Sequence, residues 1–577
     1  MSDQVPRTLP VAGIELPPAE NCVTGTDARC PWPSVVKIAI VLVFCCGLAL
    51  RFWTRSALWL DEALTVDIAR LPVSAIPSYL KRDGSPPLYY VLLHYWMDVF
   101  GQSDVAVRAL AGIFSVATMP VAWSAAKRLA GRAGVTDGVA TIVAWVSALL
   151  LASSPFAVYY ATEARMYSLV MFLSACGVLL VARLVERVRM ADVVLLAVVG
   201  AALLYTQYWA LYLMGSFGIW LLWHALRGAP ERRRAARWML AAMVVSGIAF
   251  LPWVPTFVYQ AQHTGTPWAK PANFSAVIGA ITGFTDNQAT LSHAGSNQGI
   301  VLAAGYFVLG ALGIFGAARS RWSIELDVRG KQPGRTIGFV VGVTLVAAAA
   351  GGILSSSAFS PRYASVVLVL VILLVGFGTV CLADATLRLA VVAVLVIAGF
   401  GVGVENIWTQ RTQAPQVAEI LAARAHRGDL VVLCPDQLGP SVYRYFDTTQ
   451  TDRSGQHGRF DMVTFPRGIG PAFVDWVTYL KVVRAANPAD FADQVAQTVG
   501  ASNDIWLVSA PGYQGFGNDC EALAGDLGAT VGYSAHTWVA ADPATYYEPM
   551  SLIEFSPVHA SVSPVRPSQT TPPRPVP

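Results

Sequence analysis

Apolar runs of about twenty residues recur through the first four hundred positions, separated by short polar breaks. The hydrocarbon core of a bilayer takes about 20 apolar helical residues to cross, so each run predicts a membrane span. They fall at about 35–53, 106–126, 138–157, 165–184, 191–207, 209–226, 237–257, 298–318, 336–354, 364–383 and 387–404, which predicts eleven spans. One more apolar stretch, 86–100, is too short and contains His94 and Asp98. It reads as a helix lying in the interface, with Tyr89, Tyr90, Tyr95 and Trp96 as its interfacial aromatics.

After Trp408 the pattern changes to short β-rich runs alternating with helical ones. Helices are predicted near 414–426, 488–499 and 518–527, with a further one starting at Gly439; strands are predicted at 430–433, 462–465, 505–508, 530–538 and 550–555. Strands alternating with helices indicate a small α/β domain. No GxGxxG follows its first strand, so nucleotide binding is not expected there. The predicted organisation is a disordered tail at 1–33, a transmembrane domain at 34–408, the α/β domain at 409–557 and a disordered Pro-rich tail at 558–577.

Composition agrees with that pattern: 55% of the 577 residues are hydrophobic and 13% are charged, which excludes a soluble protein of this size. Charge adds the orientation. Basic clusters occupy short loops, at Lys127/Arg128/Arg132, Arg183/Arg187/Arg189, Arg227/Arg232/Arg233/Arg234/Arg237 and Arg319/Arg321/Arg329/Lys331/Arg335. With a net charge of only +4, these read as topology signals and not as a nucleic-acid surface. The positive-inside rule places them in the cytoplasm. The expectation is a multi-pass plasma-membrane protein with an uncleaved first span, a cytoplasmic N-terminus and an extracytoplasmic α/β domain. The cysteines show no metal-ligand spacing; Cys434 and Cys520, both exported, are expected to be oxidised together.

That topology leaves two long outer loops, 54–105 and 259–297, and loops of that length in a compact membrane domain are usually functional. The first carries Trp59-Leu60-Asp61-Glu62-Ala63 at the start of a predicted helix, 61–70. Neighbouring helical residues point about 100° apart, so Asp61 and Glu62 cannot share one task. Asp61 is the candidate general base, and Glu62 is taken with it as a supporting member of the catalytic pair. Beyond that loop the outer edge of the membrane domain holds few cations: Arg165, Lys270 and Arg362. A cation that defies the positive-inside bias needs a partner, and these three are candidate anion ligands. Ser85, Tyr89, Tyr90, His94, Tyr160, Glu163, Tyr167 and Tyr363 lie on the same edge and are the candidate substrate contacts. One carboxylate beside phosphate-binding cations suits glycosyl transfer, because a phosphate on the anomeric carbon is already a good leaving group.

These residues carry a family likeness. Asp61-Glu62 in the first outer loop, Pro86-Pro87-Leu88-Tyr89-Tyr90 opening an interfacial helix, Ala106-Val107-Arg108 starting a span, Ser154-Pro155-Phe156 with Glu163-Ala164-Arg165-Met166-Tyr167, and Pro361-Arg362-Tyr363 resemble bacterial membrane glycosyltransferases of the GT-C fold. The branch is that of the protein O-mannosyltransferases and aminoarabinose transferases, and the likeness covers roughly 36–404. It implies an inverting transferase using a polyprenyl-phosphate sugar on the extracytoplasmic side; mannose or arabinofuranose as the sugar, and a glycan, glycolipid or protein as acceptor, are expected by analogy with members from GC-rich bacteria, whose Arg- and Ala-rich composition this chain shares. It implies Asp61 as base and Arg165 and Arg362 on the donor phosphate. Many members carry His before the Pro-Pro where this chain has Ser85, so neither a metal nor another cofactor is expected. Two other readings fit a polytopic chain: a flippase for a polyprenyl-linked sugar, and a membrane scaffold for the exported domain. The concentration of polar residues at the outer edge favours the transferase over a transporter, whose sites lie near the bilayer midplane.

Overall fold

The computed structural model describes residues 34–265, 272–286, 296–327, 329–330, 332–355, 359–446, 460–500, 502–513, 515–530 and 532–557. The tails 1–33 and 558–577 lie outside the described residues, as does Lys270. The chain is a polytopic helical membrane protein followed by a mixed α/β part. Eight helices are long and apolar enough to cross a bilayer, and the bent pair Asp137–Ser153 and Pro155–Ala161 makes a ninth. The other two of the eleven expected segments are also helices. Met190–Thr206 is apolar but short, and Ala210–Arg227 carries two Trp, His224 and Arg227.

The helix Pro361–Thr379 is the hub of the bundle: 83% of its apolar window is buried, against 11% for Ser34–Phe52 at the edge. Glycine lets its neighbour touch it. A Cβ on Gly378 would sit 1.9 Å from the Leu309 carbonyl oxygen, and one on Gly313 would sit 2.2 Å from that of Leu374. Helices in lipid associate through such close backbone packing. Arg362 stands in the first turn of this helix, so the most enclosed element of the bundle positions it.

The run expected as one span at 138–157 breaks at Ser154-Pro155, with a bend of 55°. Proline disfavours helix in the residue before it and needs no N–H donor partner as the first helical residue. Ser154 is accordingly extended, and its hydroxyl accepts the Ala157 N–H at 3.3 Å. After Ala161 the chain stays non-helical until Tyr167, so the span expected from 165 starts two residues later. That turn carries Glu163 and Arg165 as buried residues of a loop.

The loop 54–105 folds as three helices, Leu60–Arg70, Ile76–Asp83 and Leu88–Phe100, the first and third in the places the pattern predicts. In the second long loop, Val254–His263 and Ser275–Gly283 form helices that the pattern did not single out, and a hairpin of Gly316–Ser320 and Ser323–Leu326 follows the next span. Beyond Trp408, five strands stand in the order 460–464, 429–434, 505–509, 551–557, 533–539. The first three are parallel and the last two antiparallel. Cys434 and Cys520 form a disulfide that ties the strand 429–434 to the helix Asp519–Ala529. A separate parallel pair, Gln410–Thr412 with Tyr546–Glu548, sets Arg411 and Glu548 against the first outer loop. Arg444 with Asp104 at 2.7 Å and Arg82 with Asp475 at 2.5 Å add two further ties between the α/β part and the membrane part.

Candidate active site

The helix Leu60–Arg70 has no side-chain cap from its own N-terminal neighbour. Its free Leu60 N–H is taken instead by Glu548 Oε1 at 3.3 Å, from a strand 488 residues away. Burial pushes the Glu548 carboxyl up to about 8. Tyr547 beside it packs edge-on against Trp59, with ring centroids 5.0 Å apart.

The two adjacent carboxylates have separate surroundings. Asp61 Oδ2 accepts Arg362 Nη1 at 2.7 Å, and both side chains keep some exposure, 16% and 14%. Arg165 closes the other side. Its Nη1 donates to Thr65 Oγ1 at 2.9 Å, lies 3.4 Å from the Tyr90 hydroxyl, and stands 3.5 Å from the Asp61 carbonyl oxygen. Arg362 therefore pairs with the Asp61 carboxylate itself, while Arg165 stands beside the backbone of the same residue.

Glu62 is fully buried. Its Oε1 accepts Arg108 Nε at 2.7 Å and the Ala164 N–H at 2.9 Å; its Oε2 accepts Arg108 Nη2 at 2.5 Å and Arg411 Nη1 at 3.2 Å. Burial alone would raise its pKa, but Arg108 and Arg411 outweigh it and hold the carboxyl below its ordinary range. With both oxygens saturated by the chain, Glu62 has no face left for a substrate. It fastens the Asp61 helix to a span, to the 162–166 turn and to the α/β part.

Glu163 is the reverse case. It is buried, and neither carboxylate oxygen has a partner among the described residues. Burial pushes it up to about 7; Arg411 and Arg362 oppose the shift, and Glu62 and Asp61 add to it. The Tyr89 and Tyr167 hydroxyls are likewise buried without partners among the described residues. Buried polar groups are normally hydrogen-bonded, so a cluster of open ones beside a paired Asp marks a place for a polar ligand.

The remaining candidates divide. Tyr90 donates to Asp83 Oδ2 at 3.1 Å, and Ser85 is buried next to that pair, its carbonyl accepting Gln260 Nε2 at 3.4 Å. Tyr160 packs on Tyr159 and Tyr167, with centroids 5.0 and 4.7 Å away. The Tyr363 ring lies 5.5 Å from the Arg362 guanidinium. His94 is held elsewhere: its Nδ1 bonds the Ala69 carbonyl at 2.7 Å and its Nε2 lies 3.8 Å from Asp98, so the structure does not bring it to Asp61.

Arg411 and Glu548 are the residues that sequence reasoning missed. Arg411 had a usable signal, a cation seven residues past the last expected span, but the search for such cations stopped at the membrane domain. Glu548 had none, because only a contact across the whole chain reveals it. As for metal ligands, His426, Asp429 and Asp504 lie close enough together to hold an ion. The Asp429 carboxylate there already accepts N–H groups from His426, Asp504 and Trp506.

No family model matches the chain, and no curated protein matches it. Among solved structures it is similar to ArnT from Cupriavidus metallidurans in the apo state, at 13% identity and TM-score 0.54 over 90% of this chain and 98% of that one. The same protein bound to undecaprenyl phosphate matches at 14% identity and TM-score 0.54, over 92% and 99%. A complex of the Archaeoglobus fulgidus oligosaccharyltransferase with Zn and sulfate stands at 10% identity and TM-score 0.43, over 82% and 67%, too distant to bear on this chain. At these identities the likeness is one of fold: the chain has the ArnT-like GT-C architecture from its first span through its α/β part.

Proposed function

We propose that this protein is an inverting glycosyltransferase that moves a sugar from a polyprenyl-phosphate donor to an extracytoplasmic acceptor. The observation that carries the reading is the convergence of Arg362 and Arg165 on Asp61, beside the open Glu163, Tyr89 and Tyr167 groups. The shared fold supports a polyprenyl carrier, since ArnT was crystallised with undecaprenyl phosphate. Mannose or arabinofuranose as the sugar, and a glycan, glycolipid or protein as the acceptor, are carried by analogy with bacterial members of the family and not by a motif of this chain. In this reading residues 34–408 are the catalytic membrane domain, residues 409–557 lie outside the plasma membrane, and no metal or other cofactor takes part.

The donor phosphate binds between Arg165 and Arg362, whose planar forks suit phosphate oxygens. In binding it competes for Arg362 and frees the Asp61 carboxylate. Asp61 then takes the proton of an acceptor hydroxyl, and that oxygen attacks the anomeric carbon on the face opposite the phosphate. The bond from the anomeric carbon to the phosphate oxygen breaks, the polyprenyl phosphate leaves with the electron pair, and the two guanidiniums stabilise the charge it gains. Tyr89, Glu163 and Tyr167 supply hydrogen-bonding groups to sugar hydroxyls. Glu62 and Glu548 act only through the helix that carries Asp61.

The test is transfer by the purified, reconstituted protein from a panel of polyprenyl-phosphate sugars, with the anomeric configuration of the product read by NMR. Inverted product from one or more of these donors is expected. Transfer from nucleotide sugars alone, or retention of configuration, overturns the reading.

A further inference from the structure

A cavity lies at the other end of the bundle. The helix Asp104–Arg132 begins beside the α/β part, where Asp104 meets Arg444, and its 29 residues rise about 42 Å to Arg132. Arg132 stands at the mouth of a cavity of about 440 Å³, together with Arg232, Glu231, His224 and Gln332. The walls are apolar, with Val181, Leu196, Met239 and Val340 among them, and the deep end reaches Leu203 and Leu370. Leu370 follows Arg362 by eight residues on the hub helix, so the cavity stops about 12 Å short of the candidate active site.

An apolar shaft with a cationic mouth matches one kind of molecule, a lipid with a negatively charged head. Arg132 and Arg232 are exposed and make no ion pair among the described residues, while the neighbouring Arg128 is paired with Glu186 at 2.6 Å. Among the described lining residues, only Glu231 brings negative charge to the rim. The tail of a polyprenyl donor would fill the shaft but would leave both arginines unmatched, because its phosphate belongs at the opposite end. Basic pockets between membrane helices are suited to anionic head groups. We propose that the cavity binds one acyl chain of an anionic glycerophospholipid from the leaflet facing away from Asp61, with the lipid phosphate held by Arg132 and Arg232. The site does not depend on which reaction the protein catalyses.

Native mass spectrometry of the delipidated full-length protein tests this, titrated separately with phosphatidylglycerol, phosphatidylcholine and undecaprenyl phosphate. One phosphatidylglycerol is expected to bind at least about tenfold more tightly than phosphatidylcholine, the preference two arginines provide. The double variant Arg132→Gln/Arg232→Gln, both sites exposed, should erase that preference. Gly177→Leu should block the cavity. A Cβ at Gly177 meets only Val199 Cγ1, at 3.9 Å, and leucine is the better helix former, so this variant should fold while losing the bound lipid. Equal binding of the two phospholipids, no effect of Gly177→Leu, or displacement of phosphatidylglycerol by undecaprenyl phosphate at equal concentration would each overturn the proposal.

Discussion

The two ends of the helical bundle treat arginine in opposite ways. Around Asp61, Arg108, Arg165 and Arg411 are buried, and each gives N–H groups to a carboxylate, a hydroxyl or a carbonyl. At the far end the paired arginines stay accessible, at 45% for Arg128, 35% for Arg183 and 65% for Arg321, even where the partner, Asp192 or Asp384, is buried. The sequence shows the same residue type in both places, but the physics differs. An exposed pair contributes about 0–1 kcal/mol, because water and salt screen it. Breaking a buried pair costs about 3–5 kcal/mol, because the surviving charge is left desolvated. Arginines at the far end report topology, whereas those near Asp61 hold the site together and present cations to a ligand.

The sharpest way to break this comparison is at the carboxylate proposed for chemistry. Asp61→Asn should lower transfer by about 10²–10⁴-fold, the usual worth of a general base, with folded protein still recovered from the membrane. Transfer at the normal rate from a polyprenyl-phosphate sugar would remove Asp61 from the mechanism.

Next come the two environments themselves. Glu62→Gln should destabilise the protein by about 3–5 kcal/mol, since it strands Arg108 and Arg411, whereas Glu186→Gln should cost no more than about 1 kcal/mol. Thermal unfolding in detergent measures both, and equal shifts would mean that burial does not separate the two ends.

Of the two cations facing Asp61, Arg165→Gln and Arg362→Gln should each raise the donor KM by about 1.5–3 kcal/mol worth of binding, leaving the acceptor KM unchanged. Equal effects on both substrates would undercut the phosphate role.

The smallest effect contrasts Glu163 with Glu62. Glu163 sits at about 7 in the folded chain against an ordinary 4.5, so the folded state binds its proton more tightly. Its contribution to stability is complete below pH 4.5 and is lost as pH rises through 7. Glu163→Gln should therefore flatten the fall in stability between those two values, and an unchanged pH profile would show that Glu163 is not buried uncharged.

Much of this was legible from the chain alone, for a local reason. Whether a segment crosses a membrane depends on its own apolar length, so every expected span is a helix, and the helix carrying Asp61 begins within one residue of its predicted start. The break at Ser154-Pro155 was written in the sequence as well, but continuous hydropathy hid it, and that break is what lowers Glu163 and Arg165 into the site. Lys270, singled out as an outer cation, lies outside the described residues.

By itself, then, the sequence determined the helical membrane architecture, the α/β part that follows it, and the presence of an acidic pair in the loop after the first span. Only the tertiary structure decided what each member of that pair does. Glu62 is claimed by partners 46, 102 and 349 residues away, while Asp61 keeps one open pairing with Arg362. A carboxylate's role depends on its desolvation and on the charges brought against it, and contacts at such separations set both. No local pattern in the chain encodes them.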